Sequence, residues 1–305
     1  MVTVLRPLST SELLDRTFHL YRNNFIVFVT IAAIPQLAVL ALQLTLPNRI
    51  DPRHVSIFFM RSLEIWLASF VAIEIGHAAS VIAVSNLHLE KPVAIGSSYA
   101  GAKSSMLRVI GISCAVLLIP MLIAVPVAVV LMMLVGFAVM ALGPGHAAAM
   151  GLLGALSVGV AFVLVGLKWW LAWSLVVPVT VLEGGGFRAS IRRSKSLTLG
   201  RRGRIFVIYL LIAILAWVVS SIIQLPLILT IGWHAYRNPT GLNVVAHTFS
   251  AVGAFVGASL VGALGEIALT LVYYDERVRK EGFDLQLIMS GLQGGAQAVA
   301  ASPTA

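Results

Sequence analysis

The sequence predicts an all-α membrane bundle of about six transmembrane helices, and three observations carry that reading. Only 11% of the 305 residues are charged, against about 25% in an ordinary soluble domain. Hydrophobic residues reach 59%, and the mean hydropathy is +0.97. The apolar residues also run in blocks that meet the length of about 18 residues needed to cross hydrocarbon. The expected spans are residues 25–46, 65–84, 109–142, 152–182, 205–233 and 244–272. Together with a leading segment 1–24 and an end motif 273–284 they make one membrane-embedded domain, followed by a small, polar tail, 285–305, expected to be disordered.

The leading segment reads as an amphipathic helix at the membrane surface. Ser9 and Glu12 have capping-box spacing, and Leu14, Phe18 and Tyr21 share one helical face. It has no apolar h-region or small-residue cleavage site, so the first apolar block is expected to be an uncleaved span. The third and fourth spans exceed about 20 residues, so they tilt, kink or extend beyond the hydrocarbon. The short link Gly143-Pro144-Gly145-His146 makes these two a hairpin. Two more interfacial helices are expected. One, 95–107, is small and polar; the other places Phe187 and Ile191 one turn apart, with Arg188, Arg192 and Lys195 on another side.

Orientation follows from the basic residues. With the N-terminus inside, the cytoplasmic segments hold Arg6, Arg16, Arg22, Lys91, Lys103, Arg108, Arg188, Arg192, Arg193, Lys195, Arg201, Arg202, Arg204, Arg277, Arg279 and Lys280. The opposite side holds Arg49, Arg53, Arg61 and Arg237. That asymmetry predicts both termini in the cytoplasm of a cytoplasmic membrane. It also accounts for a pI near 10.2 without nucleic acid as a partner. Nucleic-acid binding would want aromatic interleaving or a folded module. An Ile/Leu-Pro pair recurs at Pro35, Pro120 and Pro226, one in each odd span. Two origins stand open: three parallel two-span units, or the ordinary frequency of proline in membrane helices.

Ionisable groups at membrane depth are the strongest functional leads, because each costs roughly 2.5–3.5 kcal/mol at a helix centre. Glu74, Lys168 and Glu266 qualify, and His77 shares a helix face with Glu74. Glu74 lies 16 residues before Glu90, Lys168 15 before Glu183, and Glu266 only 9 before Asp275. At about 1.5 Å per residue, this predicts Glu74 level with Lys168 and paired to it, with Glu266 roughly 9–10 Å lower. Snorkelling of Lys168 to a membrane surface beside Trp169, Trp170 and Trp173 is the alternative. Ala254, Ala258 and Gly262 recur every fourth residue and end at Glu266, a small-residue stripe suited to close helix packing. The basic run Arg188, Arg192, Arg193, Lys195, Arg201, Arg202 and Arg204 is expected to contact anionic lipid headgroups.

Catalytic signals are absent from the sequence. The seven histidines are scattered, the single cysteine is Cys114, and no H-E-x-x-H or G-x-S-x-G motif occurs. Gly184-Gly185-Gly186 lacks the Lys-Ser/Thr context of a phosphate loop and reads as a flexible joint. No cofactor and no metal are expected.

Three stretches carry a resemblance: LRPLSTSELLDRTFHLYRNNF, VVPVTVLEGGGFRASIRRSKSLTLGRRGRIF and LVYYDERVRKEGFDLQL. Together they resemble the glycerophosphoryl diester phosphodiesterase membrane domain family and related uncharacterised membrane domains, over most of the chain. The resemblance implies a multi-pass bundle. It does not imply phosphodiester hydrolysis, which in that context belongs to a separate (β/α)₈ barrel of about 250 residues. The longest non-apolar internal stretch here runs only from Glu183 to Arg204, and no His-Arg dipeptide occurs. The leading expectation is a non-enzymatic membrane scaffold or accessory subunit, with protein partners or a homo-oligomer. A small-solute or lipid transporter using Glu74, Lys168 and Glu266 comes second, and an intramembrane lipid enzyme third.

Overall fold

A computed structural model describes residues 7–45, 55–88, 91–143, 147–237 and 243–282. It is all helix, with no strand among the described residues, and six of its helices are long and apolar enough to cross a membrane. The expected disordered tail and the acid Glu90 lie outside the described residues. In chain order the helices are α1 (Thr10–Asn23), α2 (Phe25–Leu44), α3 (Val55–His88), α4 (Ile95–Leu142) and α5 (Ala147–Trp173). They continue as α6 (Val176–Glu183), α7 (Phe187–Thr198), α8 (Arg202–Arg237) and α9 (Asn243–Glu281).

α1 begins at the expected capping box. Ser9 Oγ accepts from the Glu12 backbone N–H at 3.2 Å, and Glu12 Oε2 accepts from the Ser9 N–H at 2.7 Å. The helix docks along α9. The Leu8 N–H donates to Asp275 at 2.7 Å, while the Tyr21 hydroxyl donates to the Leu260 carbonyl at 2.8 Å. Fifteen residues of α9, or about 22 Å, separate those two points, matching the length of α1 run in the opposite sense. The docked face is Leu13 and Thr17, both fully buried, whereas Phe18 of the expected apolar face is exposed.

Two boundaries differ from the sequence expectation, each for a physical reason. The small polar segment 95–107 is not a separate surface helix. It is the first third of α4, a continuous helix of 48 residues, because no glycine or proline pair interrupts it before the apolar run. The fourth span is instead broken in two. Pro178 has no N–H to give the Ser174 carbonyl, and its ring crowds that carbonyl, so α5 stops at Trp173 and α6 restarts at Val176. The orphaned carbonyls find side-chain donors. Tyr209 donates to the Ser174 carbonyl at 3.4 Å, and Ser194 and Thr198 donate to the Ala172 carbonyl at 3.1 and 3.2 Å. Pro35, Pro120, Pro126 and Pro226 sit inside uninterrupted helices.

The packing is lopsided. α9 is the hub, touching α1, α2, α3, α7 and α8. Around it runs a core that includes Phe28, Ile31, Val81, Val84, Leu175, Ile205, Ile267 and Tyr273. The outer part of α4, by contrast, buries none of its most apolar window and packs chiefly on α5. Leu122, Leu134, Phe137, Leu156 and Phe162 are all exposed there, which only an apolar surrounding tolerates.

One end of the bundle is polar and tightly cross-linked. Asp275 and Glu276 lie side by side with carboxylates 1% and 0% exposed, and both pair with Arg204 of α8. Arg279 donates to Asp275 at 2.9 Å, and both arginines also donate to the Leu8 carbonyl. A second set joins α6, α7 and α9: Arg193 bridges Glu183 and Glu281, and Tyr273 donates to Glu183 at 2.9 Å. The hydrogen bond to Glu281, seconded by Glu183, holds the Arg193 guanidinium more firmly charged than usual despite its partial burial. Lys280 closes the set with 2.7 Å bonds to the Ser196 and Leu199 carbonyls.

Removing one partner of a buried ion pair strands the other charge at a cost of about 3–5 kcal/mol. Arg204→Met is therefore expected to lower the unfolding free energy by about that amount, read as a large fall in melting temperature in mild detergent. A melting curve unchanged from wild type would contradict this account of the charged end.

Candidate functional site

Few polar side chains lie away from the charged end, and the structure places several of them around one cleft. Its back wall is α9, through Ala254, Gly257, Ala258, Val261, Gly262 and Glu266. Ala32 and Gln36 of α2 with Ala72, Ile73 and Gly76 of α3 form one flank, and Ser220 and Gln224 of α8 form the other. The enclosed volume is about 400 Å³, within the range of about 300–1,000 Å³ usual for small-molecule sites.

Glu266 is the only ionisable residue on that lining among the described residues. Its side chain is buried, and Oε2 meets no hydrogen-bond donor among the described residues. Gln36, Gln224 and Ser220 likewise make no hydrogen bond to the protein among the described residues. An amide or hydroxyl in an apolar surrounding without a partner costs several kcal/mol by transfer measurements, so a cluster of such groups on one cavity marks a place for a polar guest. Small residues make the room. A Cβ added at Gly76 would lie 3.6 Å from Glu266 Oε1 and 3.8 Å from Pro35, so the acid reaches across α9 to where α2 and α3 meet.

The Glu266 carboxyl meets α3 at Gly76, two residues from Glu74. A helical side chain leans toward its own N-terminus, and a glutamate spans several ångströms, which together close the gap that backbone counting gave. The buried hydroxyl of Ser80, one turn further along α3, also lies close to Glu266.

The expected Glu74–Lys168 pair does not form. Glu74 accepts a 2.7 Å hydrogen bond from Ser113 of α4, and no ion pair joins Lys168 to any acid among the described residues. The reason is lateral. α4 packs on both α3 and α5, so Lys168, exposed on α5, is separated from Glu74 by a helix even where their heights agree. His77 sits one turn from Glu74 with Nε2 enclosed and unpartnered among the described residues, and it joins no ligand set. No group of three His, Cys, Asp or Glu residues stands ready for a metal among the described residues.

The small-residue stripe has a different role from the one expected. Ala258 and Gly262 are exposed and Ala254 is half-buried, so the stripe forms the wall of the cleft rather than closing onto a neighbouring helix. The seven bases assigned to anionic lipid divide. Arg193 and Arg204 are taken by internal acids, and Arg201 lies 3.9 Å from Glu276. Arg202 is half-buried with Nε unpartnered, while Arg188, Arg192 and Lys195 are exposed. Gln36, Ser220 and Gln224 were not singled out from sequence. The available signal was their position, since each is a polar residue inside an otherwise apolar span.

Comparison of the chain with protein-family models, with curated proteins and with solved structures finds no match.

The Ser113 bond separates Glu74 from Lys168 experimentally. Ser113→Ala leaves a half-buried carboxyl short of a donor and is expected to cost about 1–3 kcal/mol. Lys168→Ala is expected to stay within about 0.5 kcal/mol of wild type. Thermal unfolding of both variants in the same detergent checks the pair. A Lys168→Ala loss as large as that of Ser113→Ala would restore the ion pair.

Proposed function

We propose that this integral membrane protein is non-enzymatic and serves to take a small ligand from the membrane into the cleft at Glu266, as a carrier or a ligand-responsive accessory subunit. The observation that carries this reading is a cavity within the spans lined by four polar side chains, Gln36, Ser220, Gln224 and Glu266, with Glu266 Oε2 buried and unpartnered among the described residues. Polar groups at membrane depth are expensive and persist where they line a pathway or site. Glu74 contributes indirectly, as a second acid two residues from Gly76 on α3. Lys168 has no part in it.

The membrane is proposed to be a bacterial-type cytoplasmic one, with the charged end inside. The start of α1, α7 and the end of α9 meet at that end, bringing Arg193, Arg204, Arg277, Arg279 and Lys280 together, which supports that orientation. Exposed Arg188, Arg192 and Lys195 remain available there for anionic headgroups. Membership of the membrane-domain family named above is proposed on its three motifs. Two of these contain the partners of the central ion cluster, Arg204 and Asp275.

A second reading, a scaffold for a protein partner or another copy, rests on the exposed outer part of the α4–α5 hairpin. Native mass spectrometry of protein released from gently extracted membranes distinguishes the two. The expected result is a small non-protein mass retained by wild type and lost from Ala258→Phe, which fills the cleft from an exposed position. A stoichiometric protein partner retained equally by both, with no small mass, would replace the ligand reading with the scaffold one.

A further inference from the structure

The lining of the cleft says which chemistry it would accept. Its acceptors are the Glu266 carboxyl and the side-chain carbonyls of Gln36 and Gln224. No Lys, Arg or His lines it among the described residues, and Glu74, a second acid, stands two residues from Gly76 on α3. Among the described residues, Arg193 and Arg204 are already paired at the charged end, Arg61 pairs with Glu64, and Lys168 is exposed on α5. An anion in the cleft would thus be buried without a counter-charge and beside like charge, which is strongly unfavourable.

Resting on the ligand-binding reading above, we infer that the cleft accepts a lipophilic cation: an ammonium group on an apolar body, carrying no phosphate or carboxylate. An alkylammonium offers N–H donors and no acceptor, matching the buried Glu266 carboxyl, with the Gln36 side chain one helical turn beyond Ala32, which lies against Gly76 beside that carboxyl. Its charge supplies what Glu266 lacks. The apolar body has somewhere to go, because the rest of the lining is small and apolar and the rim residues Ile73, Ala258 and Gly262 are exposed. An amphiphile can therefore enter from the lipid side with its chain left in hydrocarbon. A phosphate-bearing lipid headgroup fails on the same lining, since nothing there would neutralise it.

The test uses the full chain in nanodiscs of neutral phosphatidylcholine at pH 7, with radiolabelled octylammonium as the probe and octanol and octanoate as competitors. Saturable binding of octylammonium at one site per chain is expected. Octanol should compete at least tenfold more weakly, and octanoate not at all. Glu266→Gln should weaken octylammonium at least tenfold, and Ala258→Phe should abolish binding, with wild-type melting retained. Should Glu266→Gln fail to fold, Gln36→Leu keeps the carboxyl and removes one acceptor on its side of the cleft, and a several-fold loss is expected from it. Octanoate competing as well as the amine, or undiminished binding in Glu266→Gln or Gln36→Leu, overturns the cationic assignment. Octanol and octylammonium binding equally, both lost in Ala258→Phe, would overturn the cation while leaving a ligand cleft. No saturable binding of any of the three would overturn both.

Discussion

Two adjacent carboxylates, Asp275 and Glu276, are buried near the end of α9 at 1% and 0% exposure, and the fold is arranged to answer them. Arg204 supplies the cation from the first turn of α8, and Arg279 adds a second donor from the next turn of α9. The Leu8 backbone, just before α1, completes the shell with both its N–H and its carbonyl. One cluster therefore fixes the start of α1, the start of α8 and the end of α9. Desolvated charges of this kind are poor sources of net stability but exacting about geometry, because an imperfect arrangement leaves a charge unpaired.

The distribution of polar contacts follows from that placement. The charged end is cross-linked through Arg193, Glu183, Tyr273, Arg277 and Glu281 as well. Away from it, α9 meets α2, α3 and α8 through small residues and apolar side chains. Glu266 lies nine residues before Asp275, and Ser220 and Gln224 lie 16 and 20 residues after Arg204. α8 and α9 are thus pinned at one end, and between them, further along, the cleft opens. Small residues at Ala254, Ala258 and Gly262 keep it from filling.

The helices were legible because hydrocarbon demands long apolar runs, and capping chemistry at Ser9 and Glu12 is local. Helix ends were less so. Pro178 breaks a span while Pro35, Pro120, Pro126 and Pro226 do not. A distant donor does not separate the two cases, because Tyr99 serves the Ile31 carbonyl that Pro35 frees just as Tyr209 serves that of Ser174, and no local pattern reveals which proline ends a helix. The site was half legible. Glu74 and Glu266 stood out by their cost, but counting along the axis gives height and says nothing of azimuth or of the intervening α4. Hence Lys168 was paired with the wrong context, and the stripe ending at Glu266 was read as an interface when it is a wall. The basic run shows the same limit: charge composition marks a side of the membrane, but it does not tell Arg204, which answers a buried acid, from Arg188, which faces outward.

The central claim is that the stripe on α9 faces an occupied cleft and not another helix. An experimental density map of the full chain, taken from native lipid without harsh delipidation, addresses it directly. The account expects α8 and α9 joined at Arg204, Asp275 and Glu276, the cleft open, and density for a guest against Glu266, Gln36 and Gln224. A closed contact in which Ala258 and Gly262 pack on a helix of this chain or a second copy, leaving no room beside Glu266, would contradict it.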